Sequence, residues 1–366
     1  MKKFILVALA IAIIASPALA GPKVFGYMNP RFAMIDKGED MASNLGFSTP
    51  YNRFAFKGEV EGGEIMKKMG YRLDLDVSTT GGNNTVIYAY MDAYFSDNFC
   101  VRMGRMKKSF SREFLHNSTQ LLTTGRHYSG RMAGLQYGSY SYGMEARVKQ
   151  EKWYFTGGLY DGSSAAKGVA NQDPAIDIGG RVVATPAEGV EVGANVMMVS
   201  LPDGGVNNGT YVDGSGNAAL QTNSGFAFGV DAEYKKAMGE GSLWLEGEFD
   251  SGDNWMCITN PVDDNGAPTP WEDQEFGTFS YMYLRALYMI NAEFGVHFGY
   301  SMYDPDTDTD DDASTLITPG VTYVWNKKCS TKVEVQLESD EFVDMNGNSD
   351  TADYTHFILQ TIFVWG

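Results

Sequence analysis

Along most of the chain apolar and polar residues alternate one for one, in segments of about ten residues separated by turn-forming residues. At 226–235, Phe226, Phe228, Val230, Ala232 and Tyr234 alternate with Ala227, Gly229, Asp231, Glu233 and Lys235. At 71–77, Tyr71, Leu73, Leu75 and Val77 alternate with Arg72, Asp74 and Asp76, and at 332–338 Val333, Val335 and Leu337 alternate with Lys332, Glu334, Gln336 and Glu338. At 242–249, Leu243, Leu245 and Phe249 alternate with Glu246 and Glu248, with Trp244 breaking the polar set. Since neighbouring side chains of a strand point to opposite faces, each segment has one greasy and one charged face.

Sixteen such segments lie near 24–35, 50–60, 65–77, 85–95, 99–106, 131–149, 152–160, 176–185, 189–200, 225–236, 242–250, 277–289, 292–303, 314–325, 330–338 and 353–365. The gaps between them alternate. Short ones include 96–98, 150–151, 186–188, 238–240 and 326–328; long ones include 107–130, 161–175, 201–224, 251–276, 304–313 and 339–352. A soluble sandwich also alternates in polarity, but the short–long rhythm is that of a membrane-spanning antiparallel barrel, with short periplasmic turns and long external loops. The expected fold is therefore all-β, a transmembrane antiparallel β-barrel of about sixteen strands.

The N-terminus supports export. Lys2 and Lys3 precede an apolar run from Phe4 to Ala15, and Ser16-Pro17-Ala18-Leu19-Ala20 ends it, as in a secretory signal peptide cut after Ala20. Residues 1–20 are thus expected to be removed and 21–366 to form a single barrel domain. No later apolar run is long enough for a spanning helix, which needs about 20 residues. An exported chain with this alternation is expected in the outer membrane of a Gram-negative-type bacterium, among its lipid and lipopolysaccharide. The last segment fits: Phe357, Leu359, Thr361, Phe363 and Trp365 form one face and resemble the assembly signal of such barrels, with Gly366 a small departure at the end.

Charge narrows the function. The chain has 28 Lys+Arg and 46 Asp+Glu, a net of −18; without Lys2 and Lys3 it is 26 minus 46, or −20. That excludes a nucleic-acid partner, which needs a basic face. Three cysteines (Cys100, Cys257 and Cys329) match neither a disulfide scaffold nor a zinc site and are expected to be free. None of the four histidines (His116, His127, His297 and His356) sits in an HExxH or nucleophile-elbow context, and no cofactor motif is present. An esterase or protease on the wall would need a Ser–His or Asp–His pair, for which His297 on the lumen-facing set is the candidate position. No enzyme is expected. The acidic run Asp304-Pro305-Asp306-Thr307-Asp308-Thr309-Asp310-Asp311-Asp312 lacks the central Gly and distal Glu of an EF-hand and reads as a solvated external loop, or as a loose divalent-cation site bridging to lipopolysaccharide.

A sixteen-stranded barrel is too wide for side chains to fill and leaves an aqueous channel for small hydrophilic solutes. The gap after the fifth segment is the longest in the first half. Between Arg102 and Arg131 it carries Arg102, Arg105, Lys107, Lys108, Arg112, Arg126 and Arg131 against the single acid Glu113, a local excess of 7 minus 1, or +6. Such a cluster concentrates anions if it lines the lumen. Alternatively it faces outward to lipopolysaccharide phosphates, or opposes an acidic wall as in a general diffusion channel. A barrel that conducts nothing and binds partners through its acidic loops is the remaining alternative.

Residues 90–162 resemble the phosphate-selective porin O and P family. The pieces that carry the resemblance are Tyr90-Met91-Asp92-Ala93-Tyr94, the run from Val101 to Glu113, Arg126, Gly134-Leu135-Gln136-Tyr137-Gly138 and the run from Tyr154 to Gly162, in the family order. Ser109 stands where the family commonly has Pro. The resemblance implies a sixteen-stranded, usually trimeric, outer-membrane channel for anions such as phosphate, with the third external loop folded inward to narrow it.

Overall fold

The computed structural model describes residues 22–36, 44–77, 85–117, 119–125, 137–138, 140–161, 176–201, 223–258, 276–309, 312–343 and 349–366. The candidate export signal, Arg126, His127 and Arg131 lie outside the described residues, as does the side chain of Cys257.

Seventeen strands form one antiparallel sheet: β1 (Lys23–Asp36), β2 (Asn44–Glu61), β3 (Lys68–Asp76), β4 (Thr85–Tyr94), β5 (Phe99–Lys107), β6 (Tyr140–Lys149), β7 (Trp153–Asp161), β8 (Ile176–Ala187), β9 (Val190–Leu201), β10 (Asn223–Met238), β11 (Gly241–Ile258), β12 (Phe276–Met289), β13 (Phe294–Asp304), β14 (Ser314–Ile317), β15 (Gly320–Asn326), β16 (Cys329–Val343) and β17 (Ser349–Trp365). β14 and β15 both pair with β13 and β16 and together make one stave, interrupted at Thr318-Pro319 because proline has no N–H to donate to the ladder. Thr318 keeps both of its backbone bonds to Gly299, at 3.0 and 2.8 Å. The sheet therefore has sixteen staves. It closes where β1 pairs antiparallel with β17, Met28 opposite Phe363 and Met34 opposite Phe357. Among the described residues closure leaves no strand without a partner on either side, which a spanning sheet requires in lipid.

The alternation sorts the faces as expected. Phe226, Phe228 and Val230 of β10 point out and are exposed, while Asp231 and Glu233 are buried inside. Phe95, Phe99, Trp153, Tyr288, Phe294, Tyr323 and Trp325 are exposed beside the short turns, an aromatic girdle at that rim. Trp244, the odd member of its polar set, lies near the same rim with the Lys235 ammonium 3.9 Å from its ring centre. Cys100 and Cys329 both open strands at this rim and are free thiols.

Several boundaries differ from expectation. The sixth strand begins at Tyr140 rather than near 131, because Tyr137 is drawn inside the barrel, its hydroxyl donating to the carbonyl of Asp253 at 2.6 Å. β11 runs on to Ile258, and β16 and β17 run to Val343 and from Ser349. Their polar ends read as loop in the sequence, but water solvates a strand that projects past the lipid as well as it solvates a loop.

Candidate functional site

The chain leaving β5 turns into the barrel. Gly104 takes φ +127°, a value few side chains tolerate, just before the turn. Phe110 then packs inside, its ring centre 5.6 Å from that of Tyr137, which lies 5.8 Å from that of Phe279 on the far wall. A single helical turn follows, α1 (Arg112–Leu115), with Ser111 accepting from the Phe114 N–H at 3.2 Å as its cap. The amides of Arg112 and Glu113, free at the start of the turn, both donate to the carboxylate of Glu248 on β11.

From there the segment crosses the lumen. The Glu113 carboxylate meets Arg285 and accepts from the Tyr281 hydroxyl at 2.7 Å, both on β12. Further along, the Thr124 amide and hydroxyl donate to Glu334 of β16 at 2.8 Å each, and Lys332 donates to the carbonyls of Leu121 and Thr123. Arg31 of β1 donates to the Thr124 carbonyl at 2.7 Å. Buried Glu334 also meets His297 Nε2 at 3.1 Å, whose Nδ1 lies 3.0 Å from the Thr322 hydroxyl. The histidine thus belongs to the network that holds the loop.

Five of the seven expected cations lie among the described residues. Lys108 is buried against Asp177 at 2.8 Å. Arg112 meets Glu233 at 2.6 Å, Asp231 at 3.2 Å and Glu191 at 3.2 Å. Burial opposes its charge, but Glu233 and Asp231 more than offset that and hold its pKa above the ordinary value. The Lys107 ammonium donates to the carbonyls of Phe114 and His116, closing the loop on itself. Arg105, just past Gly104, is buried, its Nε donating to the carbonyl of Val86 at 2.9 Å and its guanidinium 5.6 Å from the Tyr142 ring centre. Arg102 faces the lumen, paired in two-pronged fashion with Asp92 at 2.7 and 2.8 Å and stacked 3.6 Å over Tyr90.

The lumen wall adds cations that the basic run does not contain. Arg72 on β3 pairs with Asp74 and lies 4.6 Å over Tyr88, and Arg147 on β6 pairs with Glu145 at 3.1 Å. In all three of these pairs the cation is the more accessible partner, by side-chain exposures of 25 against 3% for Arg72–Asp74, 13 against 9% for Arg102–Asp92 and 34 against 0% for Arg147–Glu145. In these three pairs the carboxylate is the more covered partner, whereas in Arg53–Asp76, at 9 against 13%, the order is reversed. By contrast Asp231, Glu233, Glu246, Glu248 and Asp250 on β10 and β11 are buried under the inward loop. The legible signal for the wall pairs was the same-face spacing Arg72-x-Asp74 and Glu145-x-Arg147, two residues apart on the polar set of a strand.

Residues 27–244 match the phosphate-selective porin O and P family. The chain belongs to that family. It is an outer-membrane porin, and family and fold alike are those of a channel. Among solved structures, the porin is similar to the outer-membrane channel DcaP of Acinetobacter baumannii, with a TM-score of 0.66 at 15% identity over 95% of this chain and 99% of that one. It is similar to an anion-selective porin from Comamonas acidovorans, with a TM-score of 0.65 at 12% identity over 94 and 99%. It is also similar to the trimer form of OmpT of Vibrio cholerae, with a TM-score of 0.57 at 13% identity over 94 and 99%. No curated protein sequence matches the porin.

Proposed function

We propose that this porin is a passive channel that favours anions, phosphate among them, and that the inward loop sets its selectivity by covering acids as much as by presenting bases. The observation that carries this is the order of exposure in three wall pairs: the guanidinium groups of Arg72, Arg102 and Arg147 are more exposed than their carboxylates, with only Arg53–Asp76 slightly reversed among the described arginine pairs of β2 to β6. Solutes cross down their gradient, and no residue acts as a catalyst. Of the seven cations in the loop run, Arg102 contributes to the ion path, while Lys107, Lys108 and Arg112 fix the constriction. Arg105 is buried against the Val86 carbonyl, and Arg126 and Arg131 are further candidates for the path. The anion selectivity of the Comamonas acidovorans porin and the trimer form of OmpT support an anion-favouring homotrimer. In this reading residues 1–20 direct export, residues 21–366 form the barrel, and the acidic outer loops meet lipopolysaccharide and water.

Phosphate tests the reading. Added to a chloride current through single channels in a planar bilayer, phosphate should reduce that current at concentrations where sulfate or a neutral sugar does less. Arg102→Gln should weaken the block. Equal effects of phosphate and the neutral sugar would contradict a phosphate preference.

A further inference from the structure

The side of the lumen covered by the loop contains a buried acid that has charged neighbours but, among the described residues, no hydrogen bond. Glu246 of β11 has its side chain wholly buried, and neither carboxylate oxygen makes a hydrogen bond among the described residues. Arg285 Nη1 stands 3.6 Å from one oxygen, and His116 Nδ1, just past α1, stands 3.8 Å from the other. A buried carboxylate left in this way is costly unless something pairs with it.

Glu233 of β10 completes a cluster. One donor atom each from His116, Glu233 and Glu246 can be chosen so that all lie within 4.8 Å of one another. In a tetrahedral zinc site, ligands about 2.0–2.1 Å from the ion lie about 3.4 Å apart, so side-chain movements of about 1 Å would bring the three into range. The donor set suits a borderline cation, one imidazole with two carboxylates, leaving a fourth position for water. Glu233 Oε2 also receives Arg112 at 2.6 Å and Oε1 receives Lys235 at 2.8 Å, so an ion would share that carboxylate with both cations.

The charge balance points the same way. The buried acids here are Glu113, Asp231, Glu233, Glu246, Glu248 and Asp250. The cations beside them are buried Arg112, Arg181 and Arg285 and the half-exposed Lys235, paired with Glu233, so six acids meet four bases, an excess of two negative charges if all are ionised. A divalent ion supplies two positive charges.

We propose that His116, Glu233 and Glu246 form a binding site for a divalent cation of the zinc class, which ties the inward loop to β10 and β11. His116 keeps partial exposure and gives the ion a way in from the lumen, while Glu246 gives it a dry anchor. The site pins the loop at the end of α1, the point where the chain has left its bonds to Glu248 and has not yet reached those to Glu334.

The test uses the full-length porin folded in detergent, stripped with a chelator and then dialysed against Zn2+. Its readout is metal content and affinity, not current, so it stands apart from the ion preference of the channel. The expected result is one Zn2+ retained per chain, bound more than about 100-fold more weakly in His116→Ala, a larger loss than removal of an outer-shell partner causes. Glu246→Gln should lose the ion similarly, and His356→Ala, on β17, should keep it. Heat-modified gel mobility shows whether each variant is folded, and His116→Ala changes a loop residue outside the sheet. Absence of stoichiometric Zn2+ from the wild-type protein, or equal affinity in folded His116→Ala, would overturn the site.

Discussion

Lys108 and Asp177 form an ion pair at 2.8 Å with neither side chain in contact with solvent, joining the inward loop to β8 across the inside of the barrel. Asp177 also accepts from the Ser200 amide at 3.0 Å, so the carboxylate is held by the wall and the ammonium comes to it. A cation that reads in the sequence as one of a basic run is in the structure an anchor.

Removing that anchor has a stated cost. Lys108→Ala leaves a buried carboxylate with its charge uncompensated, a change of about 3–5 kcal/mol in comparable pairs, here at the low end because Ser200 still donates. The variant should unfold at lower urea in detergent and conduct more noisily as the loop entry loosens. Lys108→Met with Asp177→Leu should be less damaged than Lys108→Ala. Stability equal to wild type in Lys108→Ala would show that the pair does not hold the loop.

Gly104 makes a second demand. A Cβ at this position would run into the carbonyl oxygen of Ala89 and lie 2.8 Å from the Tyr90 Cα, at a φ of +127°. Gly104→Ala should cost at least about 1–3 kcal/mol, the range for a residue forced into a sparsely populated backbone region. Thermal unfolding followed by tryptophan fluorescence measures it; an unchanged midpoint would contradict the strained geometry.

Much of this was legible in the sequence, and the limits have a physical cause. Strict alternation marks each stave, so Phe226, Phe228 and Val230 announce their face without reference to any other strand. The pairs Arg72–Asp74 and Arg147–Glu145 are also local, two residues apart on one face. The loop is not local. Arg112 finds its acids at Glu191 and Asp231, and Thr124 finds Glu334, across separations of 79, 119 and 210 residues. Periodicity says which face a residue occupies, but not which distant strand an inward loop will meet. The charge of the basic run was therefore visible while its neutralisation was not.

Asp312, in the connection between β13 and β14, offers a pH signature. Burial, then the nearby charges of Asp304 and Asp306, push its carboxyl up to about 7 from an ordinary 3.8. A raised carboxyl pKa means that the folded loop prefers the protonated acid, so the penalty is absent at low pH and grows as pH rises from 3.8 towards 7. Hydrogen exchange over 304–309, corrected for intrinsic rate, should show more protection at about pH 5 than at about pH 8. Asp312→Asn should remove the difference; a profile flat in the wild type would contradict the raised pKa.

The central claim is that water in the pore meets guanidinium before carboxylate, and ion selectivity reads it most directly. With purified porin in a planar bilayer and a potassium chloride gradient across it, the zero-current potential should have the sign of chloride preference. A guanidinium charge in water is worth about 1 kcal/mol to an anion about 4 Å away, so Arg72→Gln and Arg147→Gln should each lower the chloride-to-potassium permeability ratio up to about five-fold. A wild-type potential of the opposite sign, showing potassium preference, would contradict the account.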